Sequence, residues 1–225
     1  KLDIKDPKIN LTINTTLPIA SGLGSSASLS VASTKALADH YNKKLTDKQI
    51  FNISLEAEKV FHGNPSGIDP TVITYEKPVY FVKGLEPELL TPKVKFNLLI
   101  VDTGIRSSTK EVVEEVKQRY NEEPEKYKSI FDNIQNIVIQ AKEALETGNI
   151  KELGSLMNKN HGLLQQLGVS LPEIDNIIKK ALDLGALGAK VSGAGKGGNI
   201  IVLTDKDIKE QLLPLVKGII STTID

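Results

Sequence analysis

A loop of small residues between a strand pattern and a helix pattern constrains this chain more than any other feature. An alternation of period two over 9–17 predicts a half-buried strand on the residues Ile9, Leu11, Ile13, Thr15 and Leu17. The loop PIASGLGSSA follows at 18–27, and a helical pattern runs from Ser25 to Tyr41. Small residues let a backbone approach a ligand closely, and a helix start presents unpaired N–H groups that suit a phosphate. The loop therefore indicates an anion site, with a tight turn capped by serine as the alternative.

Two other phosphate-binding motifs fit this loop poorly. No Lys follows Gly24, so the loop is not a Walker motif. It matches Gly-x-Gly-x-x-Ala, the dinucleotide fingerprint, which requires a second parallel strand that ends in an acidic residue about 20 positions on. Here the chain continues as helix, turn and helix, and Asp39 lies within a helical pattern. A dehydrogenase is therefore a weak alternative.

A second glycine loop, SGAGKGG at 192–198, lies between strands predicted at 189–192 and 200–203. It also matches Gly-x-Gly-x-x-Gly, but a strand follows it where the fingerprint requires a helix. It contains more glycine than a hairpin needs, and each glycine adds conformational entropy to the unfolded chain. We expect the loop to pack against a ligand or another loop, with a flexible hairpin as the alternative.

Two carboxylates are spaced so that they could converge on one cleft. Glu58 lies at the end of a second predicted helix, and Asp69 follows in the loop HGNPSGIDP at 62–70. Two carboxylates and a serine hydroxyl suit Mg²⁺, which keeps most of its waters and binds nucleotide phosphates. The alternatives are a solvated Glu58 and a His62 that caps the last turn of its helix. The segment RSST at 106–109 opens another helix with a start that favours anions.

Composition excludes several classes of protein. The 225 residues carry 28 basic and 28 acidic side chains and no Cys. A net charge of zero argues against a broad nucleic-acid surface, and the lack of Cys excludes disulfides, thiolate zinc sites and thiol catalysis. No apolar run approaches the ~20 residues needed to cross a bilayer, so we expect a cytoplasmic enzyme without a membrane partner. A stretch rich in Pro, Lys and Glu at 84–94 predicts two domains, 1–92 and 93–225.

The remaining patterns predict a mixed α+β chain. Capping boxes are expected to start three helices, at Thr46–Gln49, Ser108–Glu111 and Ser170–Glu173. The first of these helices has an apolar stripe made of Ile50, Ile53, Ala57 and Val60. Further helices are predicted from about Pro124, over 150–166 and over about 205–217. Further strands are predicted at 72–75, 79–82 and 96–101.

Several segments resemble one kinase superfamily. PIASGLGSSAS at 18–28 resembles the ATP-binding motif of the kinases named after galactokinase, homoserine kinase, mevalonate kinase and phosphomevalonate kinase, the GHMP kinases. SGAGKGGN at 192–199 resembles their C-terminal glycine motif. The segments that resemble mevalonate kinases in particular are EAEKVFHGNPSGID, STKEVV, MNKNHGLLQQLGVS and GALGAKVSGAG. The resemblance implies a two-lobed α+β fold, with an incomplete ribosomal-protein-S5-like N-terminal lobe and a ferredoxin-like C-terminal lobe.

The same resemblance implies ATP-dependent phosphorylation of mevalonate to 5-phosphomevalonate in isoprenoid biosynthesis, with Mg²⁺ as cofactor. It assigns the nucleotide phosphates to Gly22, Leu23, Gly24, Ser25, Ser26 and Ala27. It places near the substrate the residues His62, Asp69, Thr109, Gly193, Ala194 and Gly195, and it implies that the last three close over the phosphates as well. It implies that Ser26 and Glu58 are Mg²⁺ ligands and that Asp69 is the catalytic residue, which orients or deprotonates the substrate hydroxyl.

Some features of mevalonate kinases have no match here. Their N-terminal Pro-Gly-Lys and Gly-Glu-His motifs are missing from the sequence, and we expect them on a segment that precedes it. Pro70, Lys196 and Asn199 stand where these kinases usually or often have Asn, Gly and Cys. Two alternatives therefore stay open: another small-molecule kinase of the superfamily, acting on phosphomevalonate or a sugar, and a non-catalytic nucleotide-binding fragment. The resemblance also implies small-molecule partners and a homodimer.

Overall fold

The chain divides into two units, Lys1–Leu90 and Thr91–Asp225. The computed structural model describes residues 8–15, 24–62 and 65–225. The elements of the first unit are the helices α1 (Ser25–His40), α2 (Asp47–His62) and α3 (Ile68–Tyr75) and the strands β1 (Val79–Tyr80) and β2 (Glu88–Leu89). The three helices pack against one another, and β1 pairs antiparallel with β2. The helix predicted from Ser25 is thereby confirmed.

The capping box at Thr46 starts α2 as the sequence predicts. Thr46 Oγ1 accepts a hydrogen bond from the Gln49 N–H at 3.3 Å, and Gln49 Oε1 accepts one from the Thr46 N–H at 2.9 Å. The two side chains thus satisfy two N–H groups that lack helical partners. This prediction depends only on residues three apart, which explains why it holds.

The strand predicted over 9–17 is wrong for the part that the structure describes. Residues 8–15 form no strand, and the side chains of Leu11 and Ile13 are 47% and 55% exposed. An alternating segment becomes a strand only where a neighbour supplies hydrogen bonds, and neither sheet of the described residues includes this one. The alternating pattern shows that the segment could form a strand, but a strand forms only where a second strand pairs with it.

The strand predicted at 72–75 is also wrong, whereas the strand predicted at 79–82 is confirmed in part by β1. Residues 72–75 belong to α3, whose buried residues Pro70, Thr71 and Thr74 recur at helical spacing. The sequence VITY is rich in β-branched and aromatic residues, but packing against α1 and α2 overrides that preference. The hairpin instead joins Val79 to Leu89 and Tyr80 to Glu88. Asp69 consequently lies in the first turn of a helix, where a loop was predicted.

The second unit is a four-stranded antiparallel sheet with helices. Its strands are β3 (Phe96–Asp102), β4 (Gly188–Val191), β5 (Asn199–Leu203) and β6 (Gly218–Ile224). Its helices are α4 (Thr109–Glu122), α5 (Pro124–Thr147), α6 (Ile150–Gln166), α7 (Pro172–Asp183) and α8 (Lys209–Leu212). The strand order is β4-β5-β3-β6, and every pairing in the sheet is antiparallel. This is the ferredoxin-like β-α-β-β-α-β arrangement, with four helices in place of the first one.

The largest core cluster of this unit lies between the sheet and α7. Alternate residues of β3, Leu99 and Val101, share it with Ile174 and Ile178 of α7. The alternation explains why FNLLIV forms a strand with one face against this core, although the sequence reads as a continuous apolar run. The strand predicted at 96–101 and the helix predicted over 150–166 are confirmed.

Two predictions fail in this unit. Ser170 does not cap α7, because the N-cap residue is Leu171, and the Ser170 hydroxyl donates to Asp175 Oδ1 at 2.5 Å. The helix predicted over about 205–217 is only the short α8 and a following 3₁₀ turn, and β6 then completes the sheet. Local spacing could not reveal β6, because its pairing with β3 joins residues far apart in sequence. No described helix combines the length and apolarity needed to cross a membrane.

Candidate active site

The start of α1 is the first candidate site. Gly24 is its N-cap residue in a left-handed conformation, with φ of +67°, and Ser25, Ser26 and Ala27 form the first turn. The first N–H groups of a helix have no carbonyl partners within it, and they carry the positive end of the helix dipole. This turn contains no acidic residue that would repel an anion. The predicted residues Gly22 and Leu23 lie outside the described residues.

Gly24 brings this helix start close to Asp69. A Cβ atom added at Gly24 would lie 3.5 Å from Cβ and Cγ of Asp69 and 3.2 Å from Cδ1 of Ile73. Asp69 is exposed in the first turn of α3. The structure therefore brings the loop glycine and the predicted catalytic carboxylate together within one unit. His62 is the last residue of α2, and its side chain lies outside the described residues.

Glu58 is buried, and serine hydroxyls contact its carboxylate. Its exposed fraction is 3%, Ser26 Oγ donates to Oε2 at 3.0 Å, and Ser30 Oγ donates to Oε1 at 3.3 Å. Ser26 and Ser30 lie one turn apart on α1, so α1 presents two hydroxyls to one residue of α2. The two predicted metal ligands, Ser26 and Glu58, are thus in direct contact. Ser30 is a residue that the sequence analysis missed.

A signal for this buried polar contact was present in the sequence. Ile50, Ser54 and Glu58 recur every four residues and are the buried face of α2, whereas Val60 of the predicted apolar stripe is 83% exposed. Ser26, Ser30 and Thr34 recur in the same way on α1. Hydroxyl residues spaced by four on two successive helices predict a polar interface. The apolar residues of α1 and α2 alone do not reveal this interface.

The donor set around Glu58 fits Mg²⁺. A carboxylate with neighbouring hydroxyls offers the hard oxygen ligands that this cation takes, and a cation would compensate a charge whose burial is costly. No group of three or more His, Cys, Asp or Glu side chains suited to a metal occurs among the described residues. Mg²⁺ does not need one, because it keeps several waters and shares the phosphate oxygens of a nucleotide.

The glycine loop of the second unit, Gly193–Gly198, is held by other loops. Ser107 Oγ donates to the Gly195 carbonyl at 2.8 Å, and the Gly198 N–H donates to the Ile105 carbonyl at 2.9 Å. A side chain at Gly195 would overlap the carbonyl oxygen of Val169, so only glycine allows this approach. The loop therefore packs against other loops, as one of the two sequence readings expects. Gly193, in contrast, has open space around its Cβ position.

Thr109 is the first residue of α4, two residues beyond the Ser107 contact with the glycine loop. Ser108 caps the helix and accepts a hydrogen bond from the Glu111 N–H at 3.4 Å, as the capping box predicts. The second unit thus joins the segment just before α4 to Gly195 of the glycine loop. Arg106, three residues before Thr109, forms a bidentate ion pair with Asp102. Its hydrogen bonds are the main reason that the pKa of Asp102 is lowered.

Comparisons with known protein families match both units. The model for the GHMP kinases N terminal domain matches residues 1–77, and the model for GHMP kinases C terminal matches residues 141–213. A mevalonate kinase of Saccharolobus solfataricus is 33% identical over 227 residues, which cover 99% of this chain and 70% of that protein. The chain belongs to the mevalonate kinase family of the GHMP kinases. Each glycine loop of this GHMP kinase chain, at 18–27 and at 193–198, lies within the residues that one of these family models matches.

Solved structures agree with the GHMP kinase fold. The crystal structure of L. major mevalonate kinase in complex with R-mevalonate matches with a TM-score of 0.82 and 35% identity, over 90% of this chain and 65% of that one. The Methanococcus jannaschii mevalonate kinase matches with a TM-score of 0.77 and 30% identity, over 93% and 66%. The chain spans about three fifths of the length of the first curated relatives, for example 63% of the mevalonate kinase of Thermococcus sibiricus.

Proposed function

We propose that the protein transfers the γ-phosphoryl group of ATP to the terminal hydroxyl of mevalonate, giving 5-phosphomevalonate for isoprenoid biosynthesis. The observation that carries the proposal is the close approach of Gly24, at a helix start suited to phosphate, to the carboxylate of Asp69. A phosphoryl transferase needs its phosphate donor and the group that aligns the acceptor hydroxyl at one place. Family membership indicates the class of reaction, and the contact between Gly24 and Asp69 supports the proposed position of the reaction site.

The nucleotide phosphates are assigned to the first glycine loop. The proposed residues are Gly22, Leu23, Gly24, Ser25, Ser26 and Ala27. The backbone N–H groups at the start of α1 hold phosphate oxygens by hydrogen bonds that are assisted by the phosphate charge. Because phosphoryl transfer passes through a loose transition state, this fixed array of donors contributes chiefly by position and charge stabilisation.

Ser26 and Glu58 would hold Mg²⁺ in this scheme. Bound there, the cation would neutralise negative charge on the ATP phosphates. Ser30 also contacts the Glu58 carboxylate, so it orients the carboxylate from the side of Oε1. The role of these residues is to keep a buried carboxylate in one rotamer whether or not a cation is present.

Asp69 acts on the acceptor. Its carboxylate orients the mevalonate hydroxyl by accepting its hydrogen bond and takes the proton as the bond to phosphorus forms. An Asp with an ordinary pKa of about 3.9 is a weak base at neutral pH, so alignment is at least as important as proton transfer. The remaining proposed substrate contacts are His62, Thr109, Gly193, Ala194 and Gly195.

The choice of mevalonate as acceptor comes from the relatives. The L. major relative is described in complex with R-mevalonate, and the first curated relatives are named mevalonate kinases. The domain limits 1–92 and 93–225, from the stretch at 84–94, a cytoplasmic location, from the composition, and a homodimer, from the family resemblance, are further proposals. The Pro70 and Lys196 differences from the usual mevalonate kinase residues make the acceptor the part of the proposal that most needs a direct test.

A coupled assay of ADP release on the full-length protein tests the proposal. The acceptors are mevalonate, phosphomevalonate, galactose and homoserine, each with Mg-ATP. Turnover with mevalonate alone is the expected result. Turnover with another acceptor in its place would keep the kinase and reject the substrate. No turnover with any acceptor, while ATP still binds, would favour a nucleotide-binding protein without transferase activity.

A further inference from the structure

Lys196 is the one charged residue in the glycine loop Gly193–Gly198. It has a left-handed backbone, with φ of +53°, which is uncommon for a residue other than glycine. Its N–H donates to the Val169 carbonyl at 2.8 Å, and its ammonium group forms an ion pair with Glu115 of α4. The side chain is 24% exposed, so the pair is partly shielded from water. Lys196 therefore joins the glycine loop both to the turn at Val169 and to a helix.

Glu115 also binds a second cation. Arg119 Nη2 donates to Glu115 Oε2 at 2.9 Å, and Arg119 Nη1 donates to the carbonyls of Leu167 and Gly168 at 2.9 and 3.3 Å. The hydrogen bond from Lys196 is the main reason that the pKa of Glu115 is lowered, and Arg119 adds to it. One carboxylate thus connects two cations, and each cation also anchors a loop.

These contacts close a ring. Glu115 pairs with Lys196, and the Lys196 N–H donates to the Val169 carbonyl. The carbonyls of Leu167 and Gly168, which directly precede Val169, accept from Arg119. Arg119 in turn donates to Glu115, which completes the ring. The helix that carries Glu115 and Arg119 begins at Thr109. A displacement of the glycine loop is therefore coupled to the helix whose first turn bears a proposed substrate residue.

We propose that Lys196, Glu115 and Arg119 are positioning residues that fix the glycine loop relative to the start of α4, and thereby set the affinity for the acceptor. The inference rests on the proposed kinase function and deepens it. In this account the ring holds Gly193, Ala194 and Gly195 in place against the substrate.

The expected signature is kinetic and not thermodynamic. Ion pairs with this much exposure contribute little to folding stability, so the variants should unfold near the wild-type temperature. A displaced glycine loop should weaken binding of the acceptor, because even a small misplacement of a group that contacts the substrate is costly. The effect should fall on the acceptor KM more than on the KM for ATP, because most phosphate contacts are proposed for the first glycine loop.

The test compares Glu115→Gln, Lys196→Ala and the double variant in the full-length protein. We expect each single variant to raise the KM for mevalonate about tenfold and to change the KM for ATP less than about twofold. The double variant should be no worse than Glu115→Gln alone, because Glu115→Gln already removes the bridge that Lys196→Ala removes. Lys196→Arg, which keeps the charge, should stay near wild type. Glu114→Gln is the matched control, since Glu114 pairs only with Lys117 on the same exposed helix face in the structure described.

Amide hydrogen exchange separates this inference from the proposed function. In Glu115→Gln, the amides of Lys196 and Gly198 should exchange at least about fivefold faster than in Glu114→Gln, with the global unfolding temperature unchanged. If the wild-type protein does not phosphorylate mevalonate, the proposed function fails, and exchange still decides whether the ring anchors the loop. Exchange and mevalonate KM equal to those of the control, or fully additive effects in the double variant, would overturn the inference.

Discussion

Ser26 Oγ donates a hydrogen bond to Oε2 of the buried Glu58 at 3.0 Å, which joins the first turn of α1 to α2. The contact lies beside the helix start proposed for nucleotide phosphates, so one serine links a phosphate site to a buried carboxylate. Glu58 would otherwise be a costly buried charge. Its burial, its two serine partners and its place near Ser25 and Ser26 are the strongest support for a Mg²⁺–nucleotide site in this unit.

Replacing Glu58 by Gln tests that site. The amide keeps the size of the side chain and loses the negative charge, so the Mg²⁺ concentration for half-maximal activity should rise at least about tenfold. Circular dichroism should show an intact fold. Glu56→Gln is the matched control, because it makes the same change at an exposed position of α2 and should leave the Mg²⁺ requirement unaltered. An unchanged Mg²⁺ requirement in Glu58→Gln would remove Glu58 from the metal site.

Replacing Asp69 by Asn tests the catalytic assignment. The amide cannot accept the hydroxyl proton, so kcat should fall by about 10²- to 10⁴-fold while the Kd for ATP changes little. Steady-state kinetics and calorimetric titration of ATP measure the two quantities. Asp39→Asn makes the same change at an exposed position on α1 and should leave kcat unaltered. Near-wild-type turnover of Asp69→Asn would reject the role.

The pH dependence of stability should reflect His161. Burial lowers the pKa of His161 below its ordinary value of 6.5, and it outweighs the opposing effect of Asp175, while Lys190 lowers the pKa further. The unfolded chain then binds a proton at higher pH than the folded protein. The contribution to stability is complete above about pH 6.5 and is lost as the pH falls from there toward the folded-state pKa.

Asp175 adds a loss at lower pH. Burial alone would raise its pKa, but hydrogen bonds from Ser170, Gln165 and His161 lower it below 3.8, so its contribution is lost in stronger acid.

We expect Tm to fall between pH 7 and pH 5 in the wild type and to fall less in His161→Gln. His40→Gln, at an exposed site, should retain the wild-type slope. Parallel slopes in the wild type and His161→Gln would contradict this account.

Two alanine substitutions in the glycine loop distinguish the cost of a left-handed backbone from the cost of steric overlap with a neighbouring carbonyl. Gly193 and Gly195 both have positive φ, but only at Gly195 would a side chain meet the Val169 carbonyl. Gly193→Ala should cost about 1–2 kcal/mol, the penalty of a left-handed residue. Gly195→Ala should cost about 3 kcal/mol or more, because overlap adds to that penalty. Denaturant unfolding measures both. Equal costs would mean that the loop moves away from Val169 without penalty.

Local rules predicted much of the fold from the sequence. The boxes at Thr46 and Ser108 and the limits of α6 follow from residues a few positions apart, and the structure confirms them. The segment over 72–75 was misjudged because its packing against α1 and α2 outweighs the preference of VITY for strands. The missing β6 has the same origin, since a strand exists only through distant pairing with β3.

The candidate site was predictable where a motif carries it and not where tertiary contacts do. Residue type and spacing already marked Glu58 and Asp69 as candidates, the family motifs added Ser26 and a role for each residue, and these roles stay predictions. The burial of Glu58 depends on how α1 meets α2, and only the four-residue spacing of hydroxyls hinted at Ser30. Lys196 pairs with Glu115, which lies 81 positions away in the sequence, so no local sequence pattern predicts the contact.

The most direct measurement of the central claim is the identity of the product. The full-length protein is incubated with Mg-ATP and mevalonate, and ³¹P nuclear magnetic resonance with mass spectrometry follows the phosphorus. We predict one new monophosphate ester on the terminal carbon of mevalonate, formed in equal amount to ADP and abolished in Asp69→Asn. Release of ADP without this ester, or an ester formed only on a different acceptor, would contradict the assignment of mevalonate as the substrate.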